Sequence, residues 1–159
     1  MIATIDDIRS VRDIARNIGR DRIEPYILEV EHAYIVPAIG AELYERIDAG
    51  DESDSTLIYG GYYSAGIIRK MCYGLKKAIA YYAYERILRN NPINVTAFGV
   101  TQKTGNFSQP TPQDVSSPAI DEARKMADLY LQSCVEYINR NKECNEQKPE
   151  RPMFIQVLK

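Results

Sequence analysis

Apolar residues in the first fifty positions recur at intervals of three and four, which places them on one side of an α-helix. The spacing predicts a first helix over residues 5–18, opened by a capping box at Thr4. A second helix is predicted over residues 23–36, with Pro25 in its first turn, where a missing N–H costs little. A short third helix follows over residues 41–47.

The second half of the chain has the stronger helical pattern. A long helix is predicted from about Tyr62 to Asn90, with a kink near Gly74. Ser117-Pro118 is a good pair of N-cap and first-turn residues, and the helix after it is expected to fade over residues 139–141. The predicted fold is therefore mainly α: a helical bundle of four to five helices with a small β-hairpin insert and an extended C-terminal tail.

A proline-bounded polar segment, residues 92–118, connects the two long helices. Its first part alternates as a strand does, with Ile93 and Val95 on the same side, and Gly99 supplies a turn position. Compact domains rarely keep so long a connection unless it has a function. We expect a β-hairpin or flap here, whose tip over residues 100–107 becomes ordered against a partner.

Length and composition indicate one helical domain, residues 1–141, followed by a linker and an apolar tail over residues 142–159. A hydrophobic content of 45% and a charged content of 26% are ordinary for a soluble globular protein. No apolar run reaches the length of about 18 residues that a membrane span needs, and we see no secretory signal. The three cysteines fit reduced thiols in a cytoplasm better than a disulfide framework.

The net charge of −2 conceals two blocks of opposite sign. Residues 21–54 hold ten acidic residues and two arginines, a balance of −8, whereas residues 69–103 hold seven basic residues and one glutamate, a balance of +6. Three interpretations stay open: charged faces in solvent, pairing between helices of one chain, and head-to-tail association of copies.

No residues in the sequence have the spacing of a familiar catalytic or metal-binding motif. His32 is the only histidine, which removes histidine clusters and leaves one residue for any Ser–His or Cys–His pair. The acidic turn with Asp48, Asp51, Glu52 and Asp54 lacks the spacing and the closing glutamate of an EF-hand loop. Glycine-rich phosphate motifs and C-x-x-C pairs are also missing. We therefore expect no enzyme activity, no metal and no cofactor.

Tyrosine is unusually frequent, with twelve residues against three Phe and no Trp. On the predicted long helix, tyrosines share one side with several basic residues. Such a face can pack at the edge of the core, bind a protein, or bind nucleic acid through phosphate contacts and stacking. We expect an interface between copies or with partners that comprises Arg69, Lys70, Tyr73, Lys76, Lys77, Tyr84, Val100, Gln102, Lys103, Phe107, Phe154 and Ile155.

One stretch of the chain resembles a known family, the small head–tail connector proteins of tailed phages and prophages, also called adaptor or head-completion proteins. The residues similar to the family's second-helix signature are Tyr26-Ile27, Glu31-His32-Ala33, Ile35, Pro37-Ala38-Ile39-Gly40 and Leu43-Tyr44. The order of elements is similar over residues 5–141, with short helices, a long helix rich in Ala and Tyr, a strand-like insert and a last long helix. The similar positions hold apolar residues, Gly and Tyr, and no catalytic signature.

The resemblance implies a structural, non-catalytic subunit of a ring that joins the portal to the tail and lets DNA pass without specific binding. It implies that flap and tail contact neighbouring copies, the portal or tail-completion proteins. It also implies a virion component that is made in the bacterial cytoplasm and has no membrane partner. Two other classes stay open: a DNA-contacting accessory protein that uses the basic Tyr-rich helix, and an enzyme with a site around His32.

Overall fold

The computed structural model describes residues 1–12, 19–90, 93–96, 99–102 and 113–146, with side chains described for 1–12, 19–90 and 118–142. In chain order the elements are α1 (Ile5–Val11), α2 (Arg20–Val30), a π-helical segment (Glu31–Ile35), α3 (Val36–Ile39), α4 (Ala41–Ala49), α5 (Ser55–Tyr59), β1 (Gly61–Ala65), β2 (Ile68–Cys72), α6 (Leu75–Asn90), β3 (Ile93–Thr96), β4 (Gly99–Gln102) and α7 (Gln113–Glu146). The predicted fold class, a mainly α bundle with a β-hairpin insert, is confirmed.

Helix α6 is the centre of the hydrophobic core. It contacts α1, α2, α5 and α7, and its buried side chains include Leu75, Ile79, Tyr82 and Ile87. A helix that is apolar on nearly every side is stable only when other elements cover it. The alanines of its AIAYYAY run are small enough to let the neighbouring helices approach closely. The core of the protein is therefore built around this helix.

The second predicted helix runs from α2 to α3 but changes its winding between them. In the π-helical segment, the N–H of Val36 donates to the carbonyl of Glu31, five residues earlier. Pro37 follows directly, and its ring would collide with a carbonyl of the preceding turn in a regular α-helix. The wider π turn gives this ring room. The helix therefore passes through Pro37, where the prediction ended it, and stops at Gly40, which has a φ of 90°.

The carboxylate of Glu31 is fully buried and accepts three hydrogen bonds. The backbone N–H groups of Ile2 and Ala3 donate to its Oε1 at 2.7 and 3.1 Å, and the Tyr44 hydroxyl donates to its Oε2 at 2.8 Å. A buried carboxylate is tolerated only when its oxygens have such partners. Glu31 therefore joins the N-terminal segment, the π-helical segment and α4 at one point.

The long helix predicted from Tyr62 to Asn90 is wrong over its first part, where the chain forms a β-hairpin. β1 pairs antiparallel with β2, and Ala65 lies opposite Ile68. Gly66 has a φ of 69° and Ile67 a negative φ, so the two-residue turn has its glycine first, as in a type II′ turn. Because a type II′ turn matches the twist of the two strands, it favours the hairpin and disfavours the predicted helix in this segment.

The chain enters and leaves this hairpin at a crossing of two backbones. Gly60 and Gly74 have φ angles of 97° and 93°, and a Cβ on Gly74 would lie 2.5 Å from the Gly60 nitrogen. A Cβ on Gly60 would lie 2.6 Å from the carbonyl oxygen of Tyr73. Only glycine fits at both positions. The kink predicted near Gly74 is in fact the boundary between the hairpin and α6.

The β-hairpin expected after Pro92 is present. β3 pairs antiparallel with β4, with Ile93 opposite Gln102 and Thr96 opposite Gly99. The rest of the predicted flap before α7, residues 103–112, lies outside the described residues.

Helix α7 is longer at both ends than predicted. It begins at Gln113, so Pro118 lies inside it instead of in its first turn. It also continues to Glu146, past residues 139–141, because a weak helix former such as asparagine costs only about 0.7 kcal/mol or less. The linker predicted from residue 142 therefore starts inside α7. The apolar tail lies outside the described residues.

The first two helices also differ from their predicted bounds. α1 ends at Val11, because Arg12 has extended backbone angles, φ −150° and ψ 144°. The remainder of its predicted range, residues 13–18, lies outside the described residues. α2 begins at Arg20, earlier than predicted, so Pro25 is not in its first turn. Packing of α2 on α6 compensates for the single hydrogen bond that this proline removes.

Capping chemistry accounts for two of the helix starts. The predicted capping box is present at α1, where the Thr4 N–H donates to Asp7 Oδ2 at 2.8 Å. The N-cap of α5 is Asp54, whose carboxylate accepts from the N–H groups of Thr56 and Leu57. These caps satisfy N–H groups that have no partner inside the helix.

Replacing Glu31 is expected to cost more stability than any other polar change in the N-terminal region. Glu31→Ala leaves two backbone N–H groups and the Tyr44 hydroxyl buried without an acceptor, and should lower the free energy of unfolding by about 3 kcal/mol or more. Glu31→Gln keeps the shape and one acceptor oxygen, and Tyr44→Phe removes one hydrogen bond, so each should cost about 1–2 kcal/mol. Urea unfolding followed by circular dichroism measures all three. Equal costs for the alanine and glutamine variants would contradict this role.

The Tyr44 contact also predicts a loss of stability at alkaline pH. Burial and the hydrogen bond to Glu31 raise the pKa of Tyr44 from 10.0 to about 12. A group with a raised folded-state pKa contributes stability that is complete below its unfolded pKa and is lost as pH rises through the folded one. Wild-type protein should therefore lose stability between pH 10 and 12, and Tyr44→Phe should lose less over the same interval. Urea midpoints at pH 9 and 11.5, with tyrosinate absorbance followed in parallel, measure the difference.

Candidate interaction surface

The β1–β2 hairpin and the last residue of α5, Tyr59, expose large apolar side chains. Tyr59, Tyr62, Ile67, Ile68 and Met71 account for five of the eight exposed large hydrophobic residues in the described part of the chain, and Ile67 at the turn is fully exposed. Single exposed apolar residues are normal, but a concentration of them in one segment marks an interaction site. We call these five residues the hairpin surface.

The face of the hairpin that carries Tyr63 and Cys72 is held against α7, and Ile68 shares this face next to the turn, where it is exposed. Tyr63 packs edge-on against Tyr137 with ring centroids 4.9 Å apart. The backbone N–H of Tyr73 donates to Ser133 Oγ at 3.1 Å, and Cys72 at the end of β2 is fully buried. The hairpin is therefore anchored along one side, and its turn projects into solvent.

Basic residues border the hairpin surface. The Arg69 guanidinium lies 4.3 Å from the centroid of the Tyr62 ring, a cation–π contact. Lys76 Nζ lies 5.0 Å from the centroid of the Tyr59 ring, and Lys77, also exposed, lines a small groove with Tyr59. The surface thus combines apolar area with positive charge, which suits an apolar and acidic partner surface.

The sequence-predicted interface residues do not share one helix face. Arg69 and Lys70 lie on β2 and Tyr73 follows it, whereas Lys76 and Lys77 lie on α6. The predicted common face is wrong because the chain turns back at the hairpin. Lys70 instead pairs with Glu136 of α7.

The remaining predicted interface residues are dispersed. Tyr84 of α6 is half-buried against the core, and Val100 and Gln102 lie on β4. The last four lie outside the described residues: Lys103, Phe107, Phe154 and Ile155.

Many of the tyrosines pack between α7 and its neighbours. Tyr73 stacks on Tyr130 with centroids 4.5 Å apart, and Tyr34 stacks on Tyr82 at 4.6 Å. Burial, reinforced by a hydrogen bond from its hydroxyl to Asp128 at 2.5 Å, raises the pKa of Tyr82. Of the three interpretations of the Tyr-rich segment, packing at the edge of the core therefore describes these rings.

Much of the basic block is paired within the chain. Arg86 lies 3.3 Å from Glu29, and Arg89 lies 2.6 Å from the buried Glu85. Lys76 lies 3.4 Å from Asp7. Pairing within one chain thus accounts for these charges, and it leaves Arg69 and Lys77 as the exposed cations that border the hairpin surface.

Part of the acidic block faces solvent on α4 and the loop after it. Glu42, Glu45 and Asp51 are exposed, as expected for carboxylates on a short amphipathic helix. Glu52 pairs with Arg46 at 2.7 Å. These acidic residues lie on α4 and in the loop after it, where Gly50 and Glu52, on either side of Asp51, line one groove with Tyr59 and Lys76. We call Glu42, Glu45 and Asp51 the acidic surface.

His32 is an exposed residue whose ring centroid lies 5.9 Å from that of Tyr44. Within the described residues there is no group of three or more His, Cys, Asp and Glu side chains that could hold a metal ion. No helix in the described ranges is long and apolar enough to cross a lipid bilayer.

Sequence reasoning missed the hairpin surface itself, since none of its five residues was among the predicted interface residues. A usable signal was present: Gly66-Ile67 is a Gly-X pair between two short runs, with glycines also at both ends of the segment. The helical spacing of Ile67 and Met71 concealed it, because the same residues fit a helix stripe.

The fold and this surface define a mainly helical protein with a projecting, partly apolar β-hairpin. The chain belongs to the family of unknown function DUF6712, whose model matches residues 35–149. That range includes the hairpin, all of α6 and α7. No curated protein and no solved structure matches the chain.

Proposed function

We propose that this protein is a structural, non-catalytic subunit of a phage or prophage head–tail connector ring. In this role it joins the portal to the tail as a virion component, and DNA passes through the ring without specific binding. The observation that carries the proposal is the hairpin surface, because these apolar residues are exposed in the described part of the chain and a neighbouring copy would cover them. The resemblance over residues 5–141 supplies the type of assembly.

The signature residues that carry the resemblance have structural roles in this chain. Ile27 and Ile35 are fully buried, Glu31 binds the N-terminal segment, and Gly40 ends a helix with a positive φ. The resemblance is therefore one of residues that specify the local fold. It supports a shared architecture, and the choice of partner depends on the surfaces.

The charges support a head-to-tail contact between copies. In this arrangement the hairpin surface of one copy, bordered by Arg69 and Lys77, meets the acidic surface of the next copy. Two different surfaces on one molecule form a heterologous contact, and such contacts close into a ring when the rotation allows. Stable interfaces bury about 800 Å² on each partner. A hairpin of this size supplies part of that area, and binding to the portal is expected to supply the rest.

The DNA-contacting alternative rests on fewer residues than the sequence indicated. Arg69 stacked on Tyr62 is an arrangement that can also meet a phosphate and a base. However, Lys70, Lys76, Arg86 and Arg89 already lie beside carboxylates of the same chain. The positive potential available to DNA is therefore smaller than the charge block suggests.

Removing apolar area from the hairpin turn is expected to abolish assembly and leave the fold intact. The double change Ile67→Asp with Ile68→Thr keeps a residue suited to the turn and a β-branched strand residue, but removes two exposed side chains. Leu129→Asp is the matched control, because Leu129 is an exposed apolar residue that lies on α7 and is not part of the hairpin surface. Thermal unfolding should be nearly unchanged in both proteins. Association with copies or with a candidate portal should fall at least tenfold in the hairpin variant alone.

Analytical ultracentrifugation over a concentration series and pull-down with the portal measure these affinities. Equal assembly of wild type and the hairpin variant would contradict the proposed contact. Equal loss in the Leu129→Asp control would show that any surface carboxylate disrupts assembly, and would remove the support for the hairpin.

Charge reversal at Lys77 and at Lys76 distinguishes the role of an exposed lysine from that of a lysine paired within the chain. Lys77→Glu changes an exposed residue beside Tyr59 and should weaken assembly several-fold without changing the urea midpoint. Lys76→Glu places a carboxylate next to Asp7 and should lower the midpoint as well. Assembly of Lys77→Glu at wild-type strength would count against the charged part of the interface. DNA binding that falls steeply with salt and is lost in Lys77→Glu would favour the alternative function.

A further inference from the structure

Two cysteines that are distant in the sequence meet in the core. Cys72 ends β2 and Cys134 lies in the middle of α7, 62 positions later, yet their sulfur atoms are 3.7 Å apart. Both side chains are fully buried. In a disulfide the sulfurs lie about 2.05 Å apart, so the two sulfurs must approach each other further for a bond to form.

The surroundings make the two thiols unequal. The hydrogen bond between the two sulfur atoms holds the pKa of Cys72 below its usual value, and the Gly74 backbone N–H acts in the same direction. The same interaction, together with burial, raises the pKa of Cys134. These two directions favour Cys72 as the attacking thiolate.

We propose that Cys72 and Cys134 form an oxidisable dithiol site, which a hydroperoxide converts into a disulfide that joins β2 to α7. The disulfide fixes the base of the β1–β2 hairpin on the long helix. The thiols are otherwise unused, since the proposed connector function requires no chemistry from them. The inference does not rest on that function and applies to any role of the hairpin.

The reaction proceeds in two balanced steps. The Cys72 thiolate attacks one oxygen of the hydroperoxide, an S–O bond forms, the O–O bond breaks, and the departing alkoxide or hydroxide takes up the proton that Cys72 released. The sulfur of Cys134 then attacks the resulting sulfenic acid, the S–S bond forms, the S–O bond breaks, and the hydroxide leaves as water with the Cys134 proton. Two electrons pass from the two thiols to one peroxide.

Burial makes this oxidation slow and dependent on hairpin motion. A small peroxide reaches Cys72 when the hairpin separates locally from α7, and the contacts that open are the Tyr63–Tyr137 and Tyr73–Ser133 pairs. A two-stranded hairpin with one side in water is an element of low local stability. Once formed, the bond closes a long loop of the unfolded chain and should raise stability.

The test uses the full chain, reduced and then treated with hydrogen peroxide. The chain has three cysteines, and trypsin separates them onto peptides 71–76, 126–140 and 143–159. After denaturation in N-ethylmaleimide, reduced protein should carry three adducts and oxidised protein one, with peptides 71–76 and 126–140 joined. Dithiothreitol should restore all three sites. The oxidised form should show a higher urea midpoint and slower amide exchange in β1 and β2.

Single variants assign the two steps. Cys144→Ser should still form the cross-link, and its oxidised form should carry no adduct. Cys134→Ser has no second sulfur beside Cys72, so a Cys72 sulfenic acid should persist and be trapped by dimedone. If Cys134→Ser fails to fold, the peptide map of the wild type still decides the question.

Three results would overturn the proposal. The first is retention of all three adducts at a peroxide dose that oxidises the urea-unfolded chain. The second is a cross-link that involves Cys144. The third is a mapped Cys72–Cys134 bond with unchanged amide exchange in β1 and β2, because the proposed bond fixes the base of the hairpin on α7.

Discussion

The arrangement of the N-terminal half depends on one buried carboxylate. Glu31 sits where the helix widens into its π-helical segment, and its oxygens bind the backbone of residues 2 and 3 and the Tyr44 hydroxyl. One carboxylate thus joins three stretches that are far apart in sequence. Hydrogen bonds fix their relative positions more specifically than apolar contacts would. The segment before α1, the π-helical segment and α4 are therefore held together beside α6, and the hairpin directly precedes α6.

The sequence was a good guide to the elements whose apolar spacing is both regular and long. α6 and α7 were expected because their apolar residues recur over several turns, and β3–β4 because strand-like alternation occurs next to glycine. The β1–β2 hairpin was not expected, because Ile67 and Met71 are four residues apart and fit a helix equally well. Whether this segment forms a helix or a hairpin depends on the close approach of Gly60 to Gly74. That approach is a tertiary contact, which sequence spacing does not show. Prolines misled at three positions. Packing of α2 on α6 compensates for the hydrogen bond lost at Pro25, the π-helical segment gives the ring of Pro37 room, and α7 continues through Pro118.

The candidate surface was less predictable than the fold, for a related reason. Exposure is a property of the folded chain, so a tyrosine in the sequence does not reveal whether it stacks, as Tyr73 does on Tyr130, or faces water, as Tyr62 does. The charge blocks were visible at once, but their partners were not. Arg86 and Lys76 find carboxylates on α2 and α1 of their own chain, and this pairing depends on the order in which helices pack around α6.

The crossing of Gly60 and Gly74 has a consequence for how this protein can change over time. Because the chain enters and leaves the hairpin at the same place, the segment between them is a closed cassette inserted ahead of α6. Its length and its exposed residues can vary without moving the helices, provided that the glycines at its neck and the anchor residues on α7 remain. A lineage could thus exchange one binding specificity for another while keeping its scaffold, and the recognition part of the molecule can diverge faster than the part that folds it.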